Sequence, residues 1–271
     1  SDDDEPIVIT ETGGGDGNGG GGGSVDTTLS GTINEDTTLT ADEIWTLDGR
    51  VTVTAGNTLT IEPGTIIKAV AGQEANASVL IIARGAKIEA NGTAADPIIM
   101  TSAADGIAIG ETVGTLSENT RGLWGGLIVL GNAPISEDGD IEATQIEGIP
   151  ANDTNGLYGG TNAADDSGSI TYVSIRHGGT LIGEGNEING LTLGGVGTGT
   201  TIDHVEVVGN VDDGIEFFGG TVNASNLLVW AQGDDGLDID QAYSGTITNS
   251  VVVAGNISDH GLEIDGPEGS L

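Results

Sequence analysis

From about Leu47 onward the chain carries short runs of alternating apolar and polar residues, each closed by Gly, Asn or Asp. No window of about a dozen residues places apolar side chains at i, i+3, i+4 and i+7 without Gly or Thr interrupting, so amphipathic helices are not expected. A unit of the form Gly-apolar-polar-apolar recurs instead. It stands at Gly190-Leu191-Thr192-Leu193, Gly214-Ile215-Glu216-Phe217, Gly236-Leu237-Asp238-Ile239 and Gly261-Leu262-Glu263-Ile264, with spacings of 24, 22 and 25 residues. Nearer the N-terminus, Ile61-Glu62-Pro63-Gly64-Thr65-Ile66-Ile67-Lys68-Ala69 matches Ile82-Ala83-Arg84-Gly85-Ala86-Lys87-Ile88-Glu89-Ala90 at an offset of 21, which reads as one further turn of a solenoid.

A coil of that length holds three short strands and three turns, each strand pairing in parallel with its equivalent one coil on, about 4.8 Å away. The expected fold is therefore all-β, a right-handed parallel β-helix with almost no helix. A propeller blade needs about 40 residues, and a sandwich does not repeat one motif at this interval. Alternation predicts two inward stacks, Ile215, Leu237, Leu262 and Phe217, Ile239, Ile264, with Glu216, Asp238 and Glu263 as an outward column.

The same pattern divides the chain. Residues 29–271 read as one β-helix domain, interrupted by polar loops near 102–120 and 136–169; long loops on a solenoid often carry function. Residues 1–28 read as an acidic, Gly-rich tether, in which Pro6-Ile7-Val8-Ile9-Thr10 is an isolated strand-competent segment suited to self-association by strand addition, up to a filament. The last repeat strand is followed directly by Gly266-Pro267-Glu268-Gly269, with no capping element.

Composition narrows the partners. The 271 residues include 49 Gly, 42 acidic and only 6 basic residues, for a formal charge of −36, and no basic residue lies beyond Arg176. Such a chain repels nucleic acid. No apolar run reaches the roughly 18 residues of a membrane-spanning segment. The start Ser1-Asp2-Asp3-Asp4-Glu5 resembles that of mature bacterial surface lipoproteins, in which a lipidated Cys comes just before; export to a bacterial cell surface is the expectation.

Four stretches carry a more specific likeness: Trp124-Gly125-Gly126-Leu127-Ile128-Val129-Leu130-Gly131, Tyr158-Gly159-Gly160, Asn186 to Val196, and Asp212-Asp213-Gly214-Ile215-Glu216-Phe217-Phe218-Gly219-Gly220. They resemble a widespread group of exported or lipid-anchored bacterial proteins with parallel β-helix repeats. That resemblance spans roughly Leu47 to Gly266 and implies fold and export, with no catalytic residues to carry over.

The turns Asp212-Asp213-Gly214, Asp234-Asp235-Gly236 and Asp259-His260-Gly261 place Asp213, Asp235 and His260 on one edge in register, beside Glu216, Asp238 and Glu263, with Asp240 and Asp265 two residues further along. Two carboxylates about 5 Å apart repel by roughly 1 kcal/mol in water and about 3 kcal/mol at an effective dielectric of 20. No Lys or Arg in this part of the sequence neutralises them. Two readings fit. In one, Asp213, Glu216, Asp235, Asp238, Asp240, Asp259, Glu263 and Asp265 hold cations, calcium being the natural ion for flexible all-oxygen sites. In the other, the Asp residues cap turn N–H groups on a surface made acidic for solubility.

The expected function is a non-catalytic surface or extracellular module, an adhesin, binding unit or scaffold, stabilised by cations and presenting its long side to a polysaccharide or a surface protein. The alternative is a carbohydrate-active enzyme, a hydrolase or lyase, using Asp212, Asp213, Asp234, Asp235 and His260 as acids and bases. Against that stands the lack of a basic residue after Arg176 to hold a uronate carboxylate. Trp45, Trp124 and Trp230 are expected to anchor core or corners, and no pair of His residues has zinc-ligand spacing.

Overall fold

Short strands that put every second side chain inward build a parallel β-helix in the computed structural model, which describes residues 27–182 and 188–270. One side is an eight-stranded parallel sheet. Its strands run in the order Thr32–Ile33, Arg50–Val53, Val79–Ile82, Leu127–Leu130, Leu191–Gly194, Ile215–Phe218, Leu237–Asp240 and Leu262–Ile264. Register stacks Val51, Leu80, Leu127, Leu191, Ile215 and Leu237 in one inward column. Val53, Ile82, Val129, Leu193, Phe217 and Ile239 form the second, and all twelve are buried in one continuous core. Among the described residues the only helical pieces are two three-residue 3-10 turns, Glu74–Asn76 and Thr154–Gly156.

A thirteen-stranded sheet forms the remaining sides, and from Gly168 onward it bends at a fixed register position. Tyr172, His204, Asn226 and Asn249 occupy that position with φ of 48°, 51°, 56° and 52°, in the left-handed region where Asn is tolerated best. Asn249 Nδ2 donates to Asn226 Oδ1 one coil below, so the corner is held by side chains as well as by the ladder.

The glycines that open three of the four C-terminal repeats are required by close approach, whereas Gly261, in the last described coil, has open space around it. A Cβ on Gly214 would lie 2.3 Å from Val229 Cγ1 and 2.6 Å from the Gly236 carbonyl oxygen, and Gly190 and Gly236 are hemmed in the same way by Val207 and Val252. The Gly-apolar-polar-apolar unit is thus the trace of a corner packed against an inward valine.

The C-terminal spacings of 24, 22 and 25 are true coils, since Leu191, Ile215, Leu237 and Leu262 pair in succession. The offset of 21 is not. Ile61 pairs with Ala90, 29 residues on, and Gly56 N donates to Gly85 O at 2.9 Å. Pro63-Gly64 and Arg84-Gly85 turn different corners with the same local chemistry, and the stretch containing the Glu74–Asn76 turn lengthens the coil between them.

In the last described coil, Leu262 and Ile264 continue the inward columns but are 52% and 67% exposed, because no strand lies above them. Trp45 and Trp124 are buried as expected, whereas Trp230 points outward at 41% exposure. The segment Pro6–Thr10 lies outside the described residues.

The two polar loops bracket the eight-stranded sheet. Residues 103–126 run along the turns that lead into its later strands: Gly122 N donates to Gly178 O at 2.7 Å, and Trp124 Nε1 to Arg176 O at 2.7 Å. The second insertion is not strandless. Thr144–Gln145 pairs antiparallel with Leu157–Tyr158, and the insertion reaches the opposite edge, where Ser136 N donates to Gln241 O at 3.0 Å and Tyr158 Oη to Gln241 Oε1 at 3.1 Å.

Candidate functional site: an acidic ladder on the outer face

The outward positions of the eight-stranded sheet run Ile81, Ile128, Thr192, Glu216, Asp238 and Glu263 along its strands. Beside them, on the turn entering each strand, stand Asn189, Asp213, Asp235 and His260. Asp213 and Asp235 are buried, at 7% and 3% exposure, and cap the coil above: Asp213 Oδ1 accepts from Asp235 N at 2.8 Å, and Asp235 Oδ1 from His260 N at 2.7 Å. The turn-capping reading therefore holds for these two carboxylates, each through one oxygen.

Capping does not use up the cluster. Asp213, Glu216 and Asp238 can bring one carboxylate oxygen each within 4.8 Å of the others. Burial pushes Asp213 up to about 8, aided by Asp212, Asp238 and Asp234. Burial also raises Glu216 well above the usual carboxylate range, with Asp213 and Asp238 adding to it, and raises Asp238, with Asp240 next in effect. Among the described residues no Lys or Arg pairs with these three groups.

Unsatisfied oxygens gather at the same place. Among the described residues five buried side-chain polar atoms have no hydrogen-bond partner, and four are oxygens of Asn189, Asn210, Gln232 and Asp238, on the ladder or its turns. Asn189, 5% exposed, donates through Nδ2 to Glu216 Oε2 and, at 3.3 Å, to Thr192 Oγ1, leaving Oδ1 without a partner. A half-turn of the amide exchanges the two atoms and directs an oxygen at Glu216. Three carboxylates and one amide oxygen are a donor set for a hard divalent cation.

A second group lies one coil on. His260 Nδ1 is 3.0 Å from Asp235 Oδ1 and its Nε2 is 3.6 Å from Asp259 Oδ1; Asp259 and Asp235 hold the imidazole above its ordinary value. Glu263, beside the Asp235 carboxylate, is pushed up to about 7 by its hydrogen bond to that side chain and by the nearby negative charge. Asp235, His260 and Glu263 form a triad of candidate ligands, as do Asp212, Asp213 and Asp234. Asp240, Asp259 and Asp265 stand outside these groups; Asp240 Oδ1 is occupied as acceptor for Gln241 N, at 2.6 Å. Asn189 was missed in the sequence, although Asn189-Gly190 occupies the register of the Asp-Gly turns and marks the position.

Fold and site together define a parallel β-helix with an acidic ladder on one outer face. The sequence model of the pectate-lyase-like beta helix domain matches residues 31–270, and the chain belongs to that family. No curated protein and no solved structure matches it.

Proposed function

We propose that this chain is a non-catalytic module of a bacterial cell surface, an extracellular binding unit whose folded state is completed by a divalent cation of the calcium type. The observation that carries the reading is the cluster Asp213, Glu216 and Asp238, with the spare oxygen of Asn189 beside it and, among the described residues, no Lys or Arg paired with it to offset the charge. A calcium ion would let all three carboxylates ionise, and its natural range is the roughly 0.1–1 mM affinity of extracellular modules. Surface display follows from the acidic composition and the resemblance to exported β-helix proteins. Titration calorimetry with calcium chloride tests the site: wild-type protein binds one ion with proton release, and Glu216→Gln and Asp238→Asn weaken binding at least about tenfold. No heat beyond dilution refutes it.

A second reading, a carbohydrate-active enzyme, is favoured by one observation, the contact of His260 with Asp235 beside a Glu263 that titrates at about 7. A carboxylic acid that titrates at about 7 beside an imidazole can protonate a leaving oxygen while a neighbouring base activates water. Release of reducing sugar or unsaturated product from pectin, alginate, xylan or mannan, abolished by Asp235→Asn, supports that reading; no product from any of them leaves the binding module.

A further inference from the structure

Between the left-handed corner and the turns that lead to the ladder, the outer face of the thirteen-stranded sheet changes from polar to apolar along the solenoid. Two outward rows cross it, Ser174, Glu206, Leu228 and Val251 in one and Arg176, Val208, Trp230 and Val253 in the other. The 103–126 insertion closes over the start of these rows. Arg176 Nη2 donates to Thr112 O at 2.9 Å, a Cβ on Gly209 would lie 2.5 Å from Thr120 O, and Val208 beside it is buried. One coil on, Trp230, Val251 and Val253 are 41%, 56% and 45% exposed. Trp230 lies in a strand paired on both sides, with Thr201–Val208 and with Val251–Val253, so its exposure owes nothing to the open last coil.

Other outward apolar side chains of this molecule are roofed, as Ile81, Ile128 and Leu130 are by the antiparallel insertion. Trp45 Nε1 donates to Thr40 O at 3.0 Å and Trp124 Nε1 to Arg176 O at 2.7 Å, whereas among the described residues the Trp230 indole N–H has no partner. The charges beside the strip are of one sign. Glu206, in the row of Leu228, is held by Ser174 Oγ and by Arg176 at 3.7 Å. On the other side the turns stack Asp212, Asp234 and Asp259 coil upon coil: Asp234 N donates to Asp212 O at 3.5 Å, and Asp259 N to Asp234 O at 2.9 Å. Asp234 and Asp259 are exposed, and among the described residues no Lys or Arg pairs with them; only His260, 3.6 Å from Asp259, offsets them.

We propose that this strip docks a basic amphipathic segment of another protein, its apolar side on Leu228, Trp230, Val251 and Val253 and its Lys or Arg side chains over Asp234 and Asp259. An exposed tryptophan among β-branched residues is the kind of surface that carries binding energy, its ring supplying area and its N–H a donor. The neighbouring charge selects the occupant. A second copy would bring the same acidic column, and a net charge of −36, against its own kind. An uncharged partner would take water from the two carboxylates and return nothing. A cationic amphipathic segment gains on both sides of the strip. The strip is separate from the cation ladder, and its occupation does not require calcium.

Fluorescence anisotropy of a labelled Leu/Lys peptide of about 18 residues, patterned as an amphipathic helix, tests the proposal on the whole chain. The controls are a scrambled peptide of the same composition and a Leu/Glu helix, each titrated in chelator and in millimolar calcium. The expected result is binding at least about tenfold tighter than that of the scrambled peptide, none of the Leu/Glu helix, and a blue shift of tryptophan emission, since Trp230 is the exposed one of three. Trp230→Ser and, independently, Val253→Thr each weaken binding, the first at least about tenfold; Asp234→Asn with Asp259→Asn weakens it less and flattens its dependence on salt. Equal binding of the scrambled peptide, or full affinity in both Trp230→Ser and Val253→Thr, overturns the proposal, because the peptide then reads only the acidic surface at large. So does affinity that calcium abolishes, which places the peptide on the ladder. A blue shift that grows with protein concentration in the absence of peptide overturns it in favour of a second copy. Calorimetric calcium binding stands or falls separately.

Discussion

The outer surface of the eight-stranded sheet changes character halfway along. On the N-terminal half the outward positions are Ile81, Ile128 and Leu130, all buried beneath the antiparallel insertion in a second core with Ile146, Ile149, Tyr158 and Ile182. On the C-terminal half the continuing positions are Glu216, Asp238 and Glu263, while the inward columns stay apolar throughout. The two halves share backbone pairing and interior packing, and Thr192 and Phe218 mark the boundary. What differs is what lies above. Inward residues answer to the stack of coils, whereas outward residues answer to an insertion, to solvent or to one another.

The largest expected effects come from exchanging the two chemistries. Ile128→Asp buries a carboxylate beneath the insertion with no partner and costs more than about 4 kcal/mol, read as a lower urea midpoint or loss of soluble protein. Asp238→Leu places an apolar group among repelling carboxylates and leaves calcium-free stability unchanged or raises it. Equal losses from the two would erase the distinction between the halves.

A pH series comes next. The folded-state value of Asp213 is raised to about 8, so the proton it holds stabilises the folded chain. That contribution is complete below about pH 4, the unfolded value, and is lost as pH rises through about 8. Glu216 and Asp238 shift in the same direction and add to the slope. Melting temperature without calcium therefore falls between pH 5 and pH 9, and millimolar calcium flattens the fall, while sodium chloride at matched ionic strength does less. A melting temperature that rises over this window refutes the buried, protonated ladder.

Single neutralisation is smaller. Glu216→Gln removes the cost of keeping a buried carboxyl either protonated or charged, while keeping the hydrogen-bond partner of Asn189; at pH 8 without calcium it raises the melting temperature by about 2–6 °C and reduces the response to calcium. Smallest of all is Glu263→Gln. Its carboxyl sits on the exposed last coil, and its replacement moves the calcium-saturated melting temperature by under about 1 °C, which separates the covered rungs from the open one.

Legibility differed along the same lines. The parallel β-helix, the inward and outward positions from Gly190 to Ile264 and the alignment of Asp213, Asp235 and His260 were readable in one dimension, because strand alternation and coil length are local and repetitive. The coil near Ile61 was misread: two corners with the same Gly-turn chemistry look like one repeat when the strands they join pair elsewhere. The left-handed corner through Tyr172, His204, Asn226 and Asn249 was not seen, since two of its four members are aromatic residues that give no turn signal.

By itself, then, the sequence determined the kind of solenoid and which residues share a column, since a period-2 strand inside a coil of nearly constant length leaves little choice of side. Only the tertiary structure decided which acids cap a turn and which crowd together, that Asn189 belongs with Glu216, and that an insertion closes one half of the face. Those outcomes depend on burial and on contacts between segments far apart in the chain. The same Asp-Gly turn is a cap alone or a cap that also joins a cluster of carboxylates, according to what its neighbours one coil away leave unpaired.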